Sequence, residues 1–349
     1  MYARCVRLSA SVSGARCRAL SAALVGGAIE TPLLRSGPLS TRLGCEVFFK
    51  MDCAQPSGSF KLRGIGAAVA AAVARGAQGV VSSSGGNAGL ATAHAARALD
   101  VSCAVVLPTT TPAAVRSRLE DDYGASVTVA GAVWDEAHAA AEALGAATDA
   151  AVIHPFEGAD TIAGHASVVA EIDAQLRAAG APPLDAVVTC VGGGGLLAGI
   201  LAGLGPDRPD VAVIAAETAG ADSFARSLAH GSARARPGGI ESIAKSLGAT
   251  TPSASAVDAA LARGNVAPYV VTDADAVAAC VAFLNERRVL VEPACGAALA
   301  AVYGESLPAA LENRRCVVVE VCGGAVVDLP QLLAWAEEFG IGAHSTGLS

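Results

Sequence analysis

The stretch Ala186-Val-Val-Thr-Cys190-Val-Gly192-Gly-Gly-Gly195-Leu-Leu-Ala-Gly-Ile-Leu-Ala-Gly-Leu-Gly205 decides how this chain folds. It carries no charge and has the length of a membrane span, ~20 residues. Seven of its residues are glycine, and the four in a row at 192–195 break any helix into two short halves. The reading that remains is a buried strand, a glycine loop and a helix, with no membrane crossing.

The same order of short β-branched run, loop and alanine-rich helix repeats on either side. Cys45–Met51 reads as a strand and Ser59–Arg75 as a helix. Val80–Ser82 and Val101–Leu107 read as strands flanking a helix that opens near Asn87. Ser126–Val129 and Ala151–His154 follow, separated by helical Trp134–Leu144; strands Val211–Ala216 and Cys316–Val321 come after the helix Leu196–Leu204. Runs that are apolar throughout, not alternating, belong to a parallel sheet covered on both faces by helices, hence an open α/β fold. In such sheets ligands sit beyond the carboxyl ends of the strands. Segments 202–209 and 229–239 are the most linker-like, and no internal repeat is present.

Composition narrows the classes. The chain has 349 residues, 53% hydrophobic and 16% charged, with a net charge of −8. Intrinsic disorder is excluded, and a nucleic-acid partner lacks its basic footprint. A chain of this size buries roughly 75% of its unfolded surface and needs no staples. Its ten cysteines form no CxxC pair and several lie in apolar runs, which predicts free thiols in a reducing compartment. Residues 1–28 carry Arg4, Arg7, Arg16 and Arg18 and no acid. They read either as a plain N-terminal extension or as a transit peptide, so an intracellular, cytoplasmic location is expected with mitochondrion or plastid as alternatives.

Four loops after strands carry the chemistry. In Asp52-Cys-Ala-Gln-Pro-Ser-Gly-Ser-Phe-Lys61 a lysine opens a helix, where the positive dipole end disfavours its charged form and suits it to Schiff-base chemistry. Only Lys50 and Lys245 compete with it for amine chemistry. Ser82-Ser-Ser-Gly-Gly-Asn-Ala-Gly89 offers hydroxyls and amides to a small anion such as a carboxylate; helix capping by Asn87 is the plainer alternative. Val191-Gly-Gly-Gly-Gly-Leu196 suits a phosphate, yet Gly193, Gly195 and Ala198 with Glu217 also fit a dinucleotide fingerprint. The fourth loop, Val321-Cys322-Gly-Gly324, places a thiol directly after a strand. Zinc and serine-hydrolase signatures are absent from the sequence.

Taken together, these loops resemble the L-serine dehydratase/L-threonine deaminase family, fold-type-II pyridoxal-phosphate (PLP) enzymes of tryptophan-synthase-β-like architecture. Glu217-Thr-Ala-Gly-Ala-Asp-Ser223 and Val291-Glu-Pro-Ala-Cys-Gly-Ala-Ala-Leu-Ala-Ala-Val-Tyr303 agree as well. The likeness runs from about Ile29 to Phe339 and is greatest to the liver-type and serine dehydratase-like branches. It implies a homodimer with two open α/β domains: a small one over 62–156, a large one combining 29–61 with 157–340, and a tail over 341–349. It makes Lys61 the catalytic, cofactor-bearing lysine and places Phe60, Asn87, Gly192, Gly193, Gly194, Gly195, Leu196 and Cys322 around PLP. Ser84, Gly85, Gly86, Asn87 and Ala88 match the substrate-carboxylate loop. Glu217, with the carbonyls of Gly192, Ala221, Leu247 and Ala249, matches a potassium site, which moves Glu217 from ribose to cation.

The implied reaction is β-elimination of L-serine to pyruvate and ammonia, and of L-threonine to 2-oxobutyrate and ammonia. An amino-acid racemase of the same fold, or a PLP-binding relative with weak turnover, is the alternative. Two departures stand out. Position 85 is Gly where the liver-type enzyme has Ala, and Glu320 interrupts the apolar strand leading to Cys322, where a carboxyl is costly unless paired or protonated.

Overall fold

The computed structural model describes residues 25–109, 111, 113–132, 134–305 and 307–342. Most of the expected extension and tail, 1–24 and 343–349, lies outside the described residues. The described strands are β1 Leu33–Arg35, β2 Glu46–Lys50, β3 Gly79–Ser82, β4 Ser102–Leu107, β5 Ser126–Val129, β6 Ala151–Val152, β7 Ala186–Cys190, β8 Ala212–Thr218, β9 Val266–Val271 and β10 Cys316–Glu320. The helices are α1 Gly37–Leu43, α2 Lys61–Ala74, α3 Asn87–Ala98, α4 Ala113–Ser117, α5 Trp134–Thr148, α6 Ala159–Ala178, α7 Gly195–Leu204, α8 Ser223–His230, α9 Ala254–Arg263, α10 Asp273–Arg287, α11 Pro293–Tyr303 and α12 Leu329–Glu338.

The strands form two sheets. One has the order β1-β2-β10-β7-β8-β9 and the other β5-β4-β3-β6. Every pairing is parallel except β1 with β2. All residues of β7, β8 and β10 are buried, as uniformly apolar strands require. The pattern fails at the edges: β9 is buried only at its two ends and β5 is mostly exposed, because an edge strand has one open side. The opening stretch resolves into β7 and α7, and among the described residues no helix is long and apolar enough to cross a membrane.

One reading changes. Segment 202–209 begins inside α7 and 229–239 begins inside α8, so neither is wholly a linker. Lys245 sits in a 3-10 turn, Lys245–Leu247. The described end of the N-terminal extension packs onto the body: a Cβ on Gly26 would lie 2.4 Å from the Gly66 carbonyl oxygen and one on Gly27 would lie 2.8 Å from the His94 ring.

The strand order positions the site. Because β10 runs between β2 and β7, the loops leaving these three strands are neighbours. Cys53 N–H donates to the Val321 carbonyl (2.8 Å), Phe60 N–H to that of Cys322 (2.9 Å), and Gly324 N–H to that of Gly58 (3.2 Å). A sequence gap of more than 250 residues is thus closed by backbone hydrogen bonds alone.

Candidate active site

Lys61 is the first residue of α2, following a turn in which Gly58 takes φ +83°. Its amine donates one hydrogen bond, to the Pro155 carbonyl (2.7 Å), and lies 5.2 Å from the centre of the Phe60 ring. Burial pulls it down to about 8, against the opposing pull of Cys190, Cys322 and Glu292. Phe60 packs in turn on the fully buried His165 ring, centroids 5.2 Å apart. Burial first, then Lys61 and Arg63, hold His165 down to about 3, so it is neutral.

The other two lysines are differently placed. Lys50 is fully buried and its amine is 2.6 Å from Glu171, with further bonds to the Thr31 carbonyl (2.7 Å) and Gln175 Oε1 (2.9 Å). Lys245 is exposed.

All four glycines of the loop after β7 have a steric reason. A Cβ on Gly193 would lie 2.2 Å from the Phe156 ring, and one on Gly195 would lie 2.5 Å from the Phe156 carbonyl oxygen. On Gly192 it would meet the Ser246 carbonyl oxygen at 2.8 Å; Gly194 has φ +91° and faces Ala256. No side chain caps α7, so its first N–H groups point out of the helix as an anion site. Phe156 and Ser246, which wall this loop, carry no local sequence signal.

In the serine loop, Gly86 is the N-cap of α3 and Asn87 its first residue, so the capping role considered for Asn87 does not hold. Its buried side chain reaches across to other elements. Nδ2 donates to Glu292 Oε1 (2.9 Å) and, at the long limit, to Ser246 Oγ (3.5 Å), while Oδ1 accepts from Ala325 N–H (3.2 Å). Ser84 Oγ accepts from Gly86 N–H (3.3 Å), and Ser83 Oγ pairs with His138 Nδ1 (2.9 Å). Gly85 faces Leu107 and Thr111; a Cβ there would come within 3.0 Å and 2.9 Å of their side-chain carbons. Ala88 is buried in the same helix turn.

Cys322 is buried and hydrogen-bonded to the thiols of Cys190 and Cys295. Those bonds, and then burial, push it well above the ordinary thiol range, so it is a neutral thiol and not a nucleophile. The eight described cysteines are free thiols. Behind the trio, Glu320 is fully buried with both carboxyl oxygens lacking a hydrogen-bond partner. Burial, reinforced by Asp52, pushes it well above the usual carboxylate range, which makes it a neutral acid.

Glu217 is the penultimate residue of β8 and accepts from the Phe224 and Ala225 N–H groups (2.8 and 2.7 Å) at the start of α8. Burial pushes its carboxyl up to about 8. Ala221 lies in the turn between the two, and Gly192 abuts Leu247, two residues before Ala249.

An amine of lowered basicity, an uncapped helix start, a polar serine loop and a neutral thiol suit a phosphorylated aromatic aldehyde cofactor. The family described as pyridoxal-phosphate dependent enzyme matches residues 25–323, and the chain belongs to it. It is an enzyme of the fold-type-II class. Among curated proteins it is similar to the human serine dehydratase-like protein, 42% identical over 89% of this chain and 95% of the relative. The human L-serine dehydratase/L-threonine deaminase is 43% identical over 90% and 96%. Among solved structures, a fungal L-serine ammonia-lyase from Rhizomucor miehei superposes with a TM-score of 0.79 at 34% identity, covering 90% of this chain and 99% of the other.

Proposed function

We propose that this chain eliminates water from L-serine to release aminoacrylate, which takes up water again to give pyruvate and ammonia, and that it acts on L-threonine in the same way to give 2-oxobutyrate and ammonia. The observation that carries the reading is Lys61: a partly buried amine of lowered basicity, held by the Pro155 carbonyl, with Cys190, Cys322 and Glu292 near it. Bound PLP supplies the electron sink for the carbanion formed at the substrate Cα. Lys61 would hold the cofactor covalently and, once released, accept the Cα proton; a value near 8 leaves a useful fraction unprotonated at neutral pH. The amides of Gly192–Leu196 would take the phosphate, Phe60 would lie at the cofactor's base, and Asn87 would meet the ring hydroxyl. Cys322 would lie beside the ring nitrogen and, as a neutral thiol, would give no charge to stabilise a protonated ring, which would favour prompt loss of the hydroxyl. The hydroxyl and amides of Ser84–Ala88 would orient the substrate carboxylate.

The test is a lactate-dehydrogenase-coupled assay with L-serine. Pyruvate formation is expected; recovery of D-serine without pyruvate would assign a racemase instead. The reading extends to a potassium ion held by Glu217 and the carbonyls of Gly192, Ala221, Leu247 and Ala249. A cation there would offset the burial that keeps Glu217 protonated. It predicts a higher melting temperature in potassium than in a large organic cation. A homodimer, the assembly the family resemblance implies, predicts twice the chain mass in sedimentation.

A further inference from the structure

Glu292 is the N-cap residue of α11, yet its side chain makes no capping bond there. A polar residue at this position usually turns back onto its own helix. Glu292 is instead 3% exposed and points at Asn87, 205 residues away in sequence. Its carboxyl accepts from Asn87 Nδ2 at 2.9 Å and also hydrogen-bonds Ser246. The backbone is pinned too: its N–H donates to the Gly323 carbonyl (3.3 Å), and its carbonyl accepts from the Cys280 thiol (3.3 Å). Room for the residue comes from Gly324, at φ +145°, where a Cβ would lie 2.6 Å from Glu292 N and Cβ. Val291-Glu-Pro and Val321-Cys-Gly-Gly are therefore one device.

Asn87 is held at both ends. Ala325 N–H fixes Oδ1 and Glu292 fixes one Nδ2 hydrogen, so the amide has a single orientation. An amide nitrogen has two hydrogens, and here the second meets only the long contact to Ser246. That second hydrogen is the one free for a ligand.

We infer that Glu292 is a positioning residue, which locks the Asn87 amide so that its second N–H is aimed at the ring hydroxyl of the cofactor. The inference rests on the reading that Asn87 meets that hydroxyl. Burial pushes the Glu292 carboxyl up to about 7, while Ser246, Asn87 and Lys61 draw it down.

The test uses the visible band of the lysine-bound cofactor in the holoenzyme, a signature of ring-hydroxyl ionisation that a merely structural role would leave unmoved. In Glu292→Ala the band is expected to move toward the shorter-wavelength form with an un-ionised hydroxyl. kcat for L-serine should fall about tenfold with KM within about twofold. Asn87→Ala should give the same shift, and the double variant no more than either alone. Glu292→Asp, which keeps the charge but withdraws it by one methylene, tests the same displacement should the Ala variant not fold. Glu292→Gln keeps an acceptor at the right distance and should restore the wild-type band. An unchanged band in both the Ala and Asp variants, or additive effects of Glu292 and Asn87, overturns the inference while leaving the Lys61 reading intact. Wild-type protein without a borohydride-trapped adduct on Lys61, or an unchanged band in Asn87→Ala, overturns the reading and the inference together.

Discussion

Two lysines lie eleven residues apart on either side of one turn, and their surroundings are opposites. Lys50 enters a closed ionic network with side-chain exposure of 0% throughout. It pairs with Glu171, Glu171 pairs with Arg63, and Arg63 forks onto Asp52 through two bonds of 2.6 and 2.7 Å, with Thr31 and Ser167 taking up the remaining groups. Counted by charge, two cations meet two anions. Lys61 has one neutral carbonyl and no carboxylate in contact among the described residues. Lys50 is fully buried and Lys61 partly so, but only Lys50 has its charge matched, so the unmatched Lys61 is free to be a base. The network serves the other side: Arg63 is on the first turn of α2, so fixing it onto α6 fixes Lys61 two residues earlier.

The most decisive way to break this contrast is to remove each amine. Lys61→Ala is expected to lower turnover on the order of 10³-fold or more, while its unfolding midpoint in urea stays close to that of the apo wild type. Lys50→Met should do the reverse. Its loss leaves the buried Glu171 carboxylate short of a partner, costing about 3 kcal/mol or more, read as a fall in the urea midpoint. If Lys50→Met unfolds at the wild-type midpoint, the network is not the support described here.

A smaller effect belongs to the Lys61 side alone. Gly193→Ala drives a methyl into the Phe156 ring, an overpacking of about 1–3 kcal/mol. It should weaken cofactor binding roughly tenfold in a fluorescence titration.

Glu320 belongs to neither environment, although its backbone is in register with Lys50 and its side chain neighbours the thiol trio. Glu320→Leu removes two unsatisfied buried oxygens and should stabilise the fold by about 1–3 kcal/mol at neutral pH. The sign follows from linkage. With the folded carboxyl raised, the unfolded chain loses its proton first, so wild-type stability falls as pH climbs above about 4.3. The advantage of the variant should therefore shrink at acid pH toward the cost of the two unpaired oxygens alone; an advantage that does not change with pH would show that the carboxyl is not raised in the fold.

The contrast also marks what the linear chain discloses. Lys61, the four glycines and the serine loop were legible because each is a local pattern set after a strand, and the fold places those loops together. Glu292 was not, since before Pro293 it reads as an ordinary helix start, and its partner is Asn87, in a distant stretch of chain. Phe156 and the thiol trio are defined likewise by contacts between distant strands and helices. The edge strands β1 and β9 escaped because β1 has only three residues and Pro268 interrupts the run of β9. Glu320 was visible as an anomaly, but only the packed structure shows that it has no hydrogen-bond partner.

The central claim is that Lys61 is the amine that carries the cofactor. Its most direct test is borohydride reduction of the PLP-loaded protein followed by peptide mapping. The account predicts one reduced adduct, on Lys61, together with loss of the visible band. An adduct on Lys50 or Lys245, or no adduct at all, would contradict it.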